Sequence, residues 1–324
     1  MPCNEGPDRG HRIEKTIRRL LLCLSLAFAG CGATTRVHAD GCAVEKTGET
    51  PMARVRGQYQ VTALVNGETP VTFLVDTGAE TSVVDIDLAE RLGLPARPGR
   101  RTFLIGTDGL RGKSYPKVTI ERLVFAGVEF QDVAMAQAER KAEELRRPQG
   151  TIGADLLSRF DVEFDFPNER LALYRVSPCG SGHIGFRPWL APHDAVPVKI
   201  AARNIVSLPV IVDGTELELA LDTGATRTKI PLKTAARKLS MDLERLKQDA
   251  PETISRSTHG TQMRNYAQRF ESVRIGAATY RNIVIKVSEI QVDPYDGLLG
   301  LDFLHSRKVW ISYATRQLLV ARTR

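Results

Sequence analysis

Two stretches of this chain read almost alike: VTFLVDTGA at residues 71–79 and LELALDTGA at residues 217–225. In both, an apolar run typical of a β-strand ends in Asp-Thr-Gly-Ala, so an aspartate stands at a glycine turn. A carboxylate presented twice by one chain suggests two acids that face each other. Two close carboxylates cannot both ionise, so they share one proton and can activate water. The two candidates are Asp76 and Asp222.

The similarity extends well beyond the two turns. A hairpin signal lies shortly before each aspartate, Asn66-Gly67 in the first copy and Asp213-Gly214 in the second. Downstream, GTIGADLL from residue 150 matches GLLGLDFL from residue 297. The aspartates are 146 positions apart and the later motifs 147, so the register holds across a whole lobe. The chain is therefore an internal duplication, with a period too long for a solenoid.

These residues resemble the retropepsin-like aspartic proteases, the family of the retroviral proteases. The family pattern is an apolar strand, Asp-Thr-Gly-Ala, and later an apolar pair and a glycine that lead into a short helix. The resemblance covers about residues 55–175 and 205–322, and it implies two halves fused in one chain. Ala154 and Leu301 follow the later glycines, where retroviral enzymes usually carry Arg. The salt bridges that these arginines form in retroviral dimers are therefore not expected.

Many short alternating runs separated by turn signals predict an all-β fold with few short helices. The resemblance implies two tandem retropepsin-like β-barrel lobes related by a pseudo-two-fold axis. Short helices are expected at residues 87–94 and 232–239. The predicted divisions are a signal peptide at residues 1–30, an N-terminal tether at 31–54, lobe 1 at 55–176, an interlobe connector at 177–200 and lobe 2 at 201–324.

Composition is that of a globular protein apart from its start. The 324 residues include 42% hydrophobic and 26% charged residues, and the net charge is +7. Residues 1–30 hold five Lys/Arg and three Asp/Glu, so part of that charge belongs to the leader. No basic stripe is interleaved with aromatic residues, so nucleic acid is not an expected partner.

The first thirty residues have the pattern of a secretory signal. Five basic residues precede a ten-residue apolar run at residues 20–29, which is too short to cross a bilayer comfortably. Residues 28–31, FAGC, resemble a bacterial lipobox whose cysteine, Cys31, becomes lipid-bearing, although Phe28 stands where Leu is usual. Cleavage after Ala39 is the alternative. We expect an exported, periplasmic protein, lipid-anchored to a bacterial membrane if the lipobox is used.

Two cysteines, Cys42 and Cys179, remain after either cleavage. An even pair in an exported protein is a candidate disulfide, and two free thiols are the alternative. No third or fourth ligand is clustered with them, so neither a metal site nor a cofactor is expected.

Asp76 and Asp222 are the expected catalytic pair. The ionised member would take a proton from a bridging water, and the protonated member would support the developing oxyanion. The resemblance implies that the threonine after each aspartate hydrogen-bonds to the backbone of the opposite loop, while the glycine keeps the turn free of side-chain bulk. These supporting residues are Thr77, Gly78, Thr223 and Gly224.

The family closes its substrate in with β-hairpin flaps, and the candidates here are residues 103–115 and 254–266. Glycine-rich tips suit a lid that opens and presents its backbone to a peptide. In each candidate a tyrosine, Tyr115 or Tyr266, lies six positions after a glycine, and this spacing aligns the flaps. The expected substrate-binding glycines are Gly106, Gly109 and Gly260.

Asp155 and Asp302 follow the later glycine motif and are expected to cap the short helices there. The predicted function is an aspartic endopeptidase that hydrolyses polypeptides, active as a monomer because both acids lie on one chain. The alternatives are a peptide-binding lipoprotein without turnover on the same fold, and a protease limited to one partner.

Overall fold

The structure is a computed structural model that describes residues 36–39, 42–105, 107, 109, 111–138, 148–177, 187–257 and 260–322. In these ranges no helix is long and apolar enough to cross a membrane. The predicted signal peptide, Cys31, Gly106 and Cys179 lie outside the described residues, as does the side chain of Cys42. The lipidation site and the disulfide therefore stay predictions.

Strands make up most of the chain. Two of them precede the first lobe: β1 (Arg36–Ala39) and β2 (Cys42–Pro51). Lobe 1 contains β3 (Ala53–Val55), β4 (Gln58–Val65), β5 (Thr69–Val75), β6 (Val83–Asp85), α1 (Ile86–Arg91), β7 (Ala96–Ile105), β8 (Arg111–Phe125), β9 (Val128–Ala138), β10 (Gly150–Ile152), α2 (Ala154–Leu157), β11 (Asp161–Asp165) and β12 (Arg170–Val176).

The second half repeats this order. It contains β13 (His193–Pro197), β14 (Lys199–Ile200), a 3₁₀ turn (Ala202–Asn204), β15 (Val206–Val212), β16 (Thr215–Leu221), β17 (Lys229–Pro231), α3 (Leu232–Lys238), α4 (Leu243–Asp249), β18 (Glu252–Arg256), β19 (Gln262–Ile275), β20 (Ala278–Ser288), β21 (Gly297–Leu299), α5 (Leu301–Leu304), β22 (Lys308–Ser312) and β23 (Gln317–Ala321).

Each lobe is built on an eight-stranded sheet. The strand order is β3-β4-β5-β10-β6-β9-β8-β7 in lobe 1 and β14-β15-β16-β21-β17-β20-β19-β18 in lobe 2. An extra pairing, β4 with β8 or β15 with β19, curls each sheet towards a barrel. The two orders agree strand by strand, which confirms the all-β fold and the duplication.

The predicted local signals are largely present. Both hairpin dipeptides have left-handed backbone, with φ of +50° and +83° at Asn66 and Gly67 and of +44° and +83° at Asp213 and Gly214, as a type I′ turn requires. Helices α1 and α3 occupy the two positions where helices were expected. Helix α4 was not expected.

A third sheet joins the lobes, in the order β1-β2-β12-β11-β22-β23-β13. At its centre β11 of lobe 1 pairs antiparallel with β22 of lobe 2. Asp161 is buried there and accepts hydrogen bonds from Trp310 Nε1 at 3.0 Å, from the Ser312 hydroxyl and from the Ala314 N–H. Burial raises the pKa of Asp161 despite these donors. The sheet unites both lobes in one folded body.

Two boundary segments differ from expectation. Residues 31–54 were expected to form a tether, but β2 pairs with β12 and buries Val44. Residues 177–200 were expected to form only a connector, but β13 pairs with β23, and Trp189 packs against the cluster that contains Val44. Both segments complete the interlobe sheet, because its outer strands present backbone groups that need partners.

Candidate active site

Each Asp-Thr-Gly turn begins where a buried strand ends. The Asp76 N–H donates to the Ile152 carbonyl and the Asp222 N–H to the Leu299 carbonyl, both at 3.0 Å, so β10 and β21 anchor the loops. One oxygen of each carboxylate accepts the amide N–H groups two and three positions further on, at 2.9 and 3.1 Å for Asp76 and at 2.8 and 2.9 Å for Asp222. The backbone therefore fixes the direction of both side chains.

The two carboxylates meet between the lobes, as the sequence predicted. A side-chain hydrogen bond joins Asp222 to Asp76. Each carboxylate also lies against the glycine of the other loop: a Cβ on Gly224 would overlap the Asp76 carboxylate, and one on Gly78 would lie 2.7 Å from Asp222 Cγ. Glycine at these positions therefore makes room for the opposing acid.

The two acids have different environments. Asp222 is only 8% exposed, whereas Asp76 is half-buried. Burial, and then the Asp76 charge, raise the pKa of Asp222 well above its ordinary value, although the N–H groups of Ala225 and Gly224 oppose the shift. Such a shift lets a carboxyl pair keep one shared proton when both members would otherwise ionise. The arrangement therefore combines an acid and a base at hydrogen-bond distance.

The two threonines cross-link the loops. Thr77 Oγ1 donates to the Leu221 carbonyl at 2.7 Å, and Thr223 Oγ1 donates to the Val75 carbonyl at 2.8 Å. Each hydroxyl also accepts the N–H of the other threonine at 3.1 Å. Both side chains are buried, so the four bonds are shielded from water. The contacts expected of Thr77 and Thr223 are present.

The capping prediction for Asp155 and Asp302 is wrong. Helices α2 and α5 begin without a side-chain cap. Asp155 instead accepts the N–H and hydroxyl of Ser82 at 2.9 and 2.6 Å, and Asp302 those of Thr228 at 2.9 and 2.7 Å. Each hydroxyl in turn accepts a glycine N–H at 3.0 Å. A hydroxyl residue six positions after each catalytic candidate was the available signal.

Further residues contact the opposite loop, and no sequence pattern predicts these contacts. Gln58 Nε2 of lobe 1 donates to the Gly224 carbonyl at 2.6 Å. Arg203 of lobe 2 forms an ion pair with Glu80, just after the first turn. Among the described residues, no three His, Cys, Asp or Glu side chains are grouped as a metal site requires.

Comparison with known families gives one match for each lobe. Residues 61–156 match the family described as "Aspartyl protease", and residues 208–306 match the family described as "gag-polyprotein putative aspartyl protease". The two matches together span more than half of the chain. The chain belongs to the retropepsin-like aspartyl proteases. A comparison with curated proteins gave no match.

Both flap candidates of this aspartyl protease are β-hairpins, formed by β7 with β8 and by β18 with β19. Gly109 and Gly260 have φ of +70° and +84°, a backbone conformation that favours glycine. The first tip reaches lobe 2, where the Gln291 N–H donates to the Thr107 carbonyl at 2.8 Å and the Gln291 side chain packs against Gly109.

Strand register does not align the two flap tyrosines. Tyr115 lies two positions before the β8 residue that pairs with Ala136, whereas Tyr266 lies one position before the β19 residue that pairs with Lys286. Ala136 and Lys286 are equivalent, because each pairs with the residue seven positions after its catalytic candidate. The counterpart of Tyr115 is therefore Asn265, and the alignment by equal spacing is wrong by one residue.

Proposed function

We propose that this aspartyl protease is an endopeptidase in which Asp76 and Asp222 activate a single water molecule. The observation that carries the proposal is the hydrogen-bonded pair of carboxyl groups, one buried with a raised pKa, on loops that are cross-linked through Thr77 and Thr223. A rigid frame of this kind holds both acids in one reactive geometry.

The unequal burial of the acids supports a division of roles. In the proposed cycle the more buried acid, Asp222, starts with the shared proton, because burial disfavours its charged form, and Asp76 starts as the base. Asp76 takes a proton from the water as the water oxygen bonds to the scissile carbonyl carbon. The carbonyl oxygen receives the Asp222 proton, which gives a gem-diol. The proton on Asp76 then passes to the leaving nitrogen, the carbon–nitrogen bond breaks, and a gem-diol hydroxyl returns its proton to Asp222 as the product carboxyl group forms.

The test is cleavage of an unfolded-protein peptide library, read by mass spectrometry. We expect Asp76→Asn and Asp222→Asn each to lower kcat by about 10³-fold or more, because each removes one member of an acid–base pair. Asp132→Asn is the matched control, since Asp132 is an exposed residue of β9 at φ +51°, which Asn also adopts. Full activity in either active-site variant would refute the proposal, and binding without turnover by the wild type would favour a peptide-holding protein.

We also propose that the active form is a monomer, supported by the interlobe sheet and by both acids lying on one chain. Sedimentation should find activity in the monomer fraction. Export and lipid anchoring at Cys31 are likewise proposed from residues 1–31 alone. Labelling with a radioactive fatty acid should mark the wild type and not Cys31→Ala; equal labelling would reject the anchor.

A further inference from the structure

An apolar cluster packs against the first flap. Val83, Ala136 and Ala138 are buried, and the flap side chains Leu104 and Tyr115 pack on them. We call these five residues the apolar flap cluster. Val83 lies seven positions after Asp76, so the cluster borders the active-site loop.

The same five positions of lobe 2 are polar. Lys229 pairs with Lys286 as Val83 pairs with Ala136, and Lys229 and Val83 each lie on the strand that follows an Asp-Thr-Gly turn. In the flaps, Thr253 pairs with Asn265 as Thr102 pairs with Tyr115, so Thr253 and Thr102 are equivalent. Side chains on one face of a strand are two residues apart, so Ser255 corresponds to Leu104. The resulting polar flap cluster is Lys229, Lys286, Ser288, Ser255 and Asn265.

Hydrogen bonds tie the polar flap cluster together. Asn265 Nδ2 donates to Ser255 Oγ at 3.0 Å, and the Ser288 hydroxyl donates to Asn265 Oδ1 at 2.7 Å. Lys229 Nζ donates to Ser255 Oγ at 3.2 Å. In the described part of the chain, Lys229 and Lys286 bond to hydroxyl groups and neither has a carboxylate partner at salt-bridge distance. Two cations therefore lie beside the second flap without an ion-pair partner among the described residues.

Lys229 is the member of the polar flap cluster whose charge interacts with the acid pair. Its side chain is half-buried, and burial lowers its pKa, while the Asp222 carboxylate opposes that shift and the Lys286 charge adds to it. The Lys229 ammonium therefore lies within electrostatic reach of the acid pair. A half-buried ammonium with no carboxylate partner is most favourably neutralised by an anionic group of a ligand.

We propose that the substrate cleft is chemically asymmetric, and that Lys229 binds a Glu or Asp side chain of the substrate on the side of lobe 2, where the equivalent position of lobe 1 is the apolar Val83. This inference rests on the endopeptidase function proposed above. Residues at equivalent positions of the two lobes lie symmetrically about the pair Asp76 and Asp222. A peptide that crosses this pair therefore presents side chains to the two clusters from opposite sides of the bond that is cut.

The experiment uses peptide pairs built on a sequence that the wild type cleaves, identical except for Glu or Gln at the position facing lobe 2. Glu and Gln match in shape and differ in charge, and both peptides meet the same acid pair, so their kcat/KM ratio does not depend on its pKa. We expect the wild type to prefer Glu about tenfold, the scale of one partly buried ion pair. The preference should fall as salt is added.

Two substitutions at Lys229 and one control complete the design. Lys229→Met should bring the Glu/Gln ratio to about one, and Lys229→Glu should favour a third peptide with Lys at that position. Lys247→Met removes the same charge from exposed helix α4 and should keep the wild-type ratio.

The outcomes separate the two proposals. A Glu/Gln ratio near one in the wild type, or a ratio unchanged in Lys229→Met, overturns the asymmetric cleft. Cleavage by the wild type that is abolished in Asp76→Asn still upholds the endopeptidase in that case. A wild type that cuts no peptide of the library, like Asp76→Asn, overturns the endopeptidase and this inference with it.

Discussion

The two lobes share their strand order but differ in what they place against their flaps. The active-site loops are nearly identical, down to reciprocal threonine bonds and the hydroxyl–aspartate contacts behind them. The flap clusters, by contrast, are apolar in lobe 1 and cationic in lobe 2. The two copies are therefore alike in the loops that complete each other and differ in the clusters that pack beside the flaps.

A second difference lies at the rim of the loops. Glu80 follows the first turn and pairs with Arg203 of the other lobe, whereas Thr226 stands at the matching position of lobe 2 and lies beside Gly57. The interlobe contacts are therefore also unequal, although the strands beneath them are the same.

Exchanging the residue types of Val83 and Lys229 should have the largest effect on stability. Val83→Lys places an ammonium among buried Ala136 and Ala138, and we expect it to lower the free energy of unfolding by about 3 kcal/mol. Lys229→Val removes a half-buried charge and should change it by less than about 1 kcal/mol. Urea midpoints at constant m-value measure both changes. Equal losses would mean that the clusters do not differ as described.

The more buried acid, Asp222, should couple stability to pH. Because the pKa of Asp222 is raised in the folded protein, Asp222 costs no stability below its unfolded pKa of about 3.9. As pH rises from there through the folded pKa, stability is lost, because the unfolded chain ionises Asp222 more readily. We therefore expect Asp222→Asn to raise the free energy of unfolding at pH 7 by about 1 kcal/mol. The gain should disappear in acid.

Melting temperatures of Asp222→Asn, Asp76→Asn and wild type between about pH 3 and pH 8 measure this difference. Asp76 is half-buried and serves as the comparison. A gain from Asp222→Asn that is as large in acid as at neutral pH would contradict the raised pKa of Asp222. In acid this carboxyl group is protonated in both the folded and the unfolded protein, so a gain that comes from its ionisation must vanish there.

The rim contact should give the smallest effect. Glu80 and Arg203 are 42% and 64% exposed in their side chains, so Glu80→Gln should cost at most about 1 kcal/mol. A double-mutant cycle with Arg203→Gln at low salt and at about 1 M salt isolates the pair, and its coupling should vanish at high salt. Coupling that persists in salt would show that this contact is more than a surface ion pair.

Patterns within short segments predicted much of the active site. The Asp-Thr-Gly turns, the hairpin dipeptides before them and the helices after them depend on local backbone chemistry, and the repeat identified which residues correspond. Residue spacing failed in the flaps, where Tyr115 and Asn265 correspond only through strand register. It failed again at Asp155, whose partner Ser82 lies 73 positions away.

By itself the sequence determined the duplication, the two acids and the threonines that brace them, because a turn and its preceding strand are specified by residues next to each other. Only the tertiary structure decided the unequal burial of Asp76 and Asp222, the interlobe sheet and the contrast between Val83 and Lys229. Burial, charge environment and strand register arise from contacts between residues far apart in the chain, and local sequence patterns carry no direct record of such contacts.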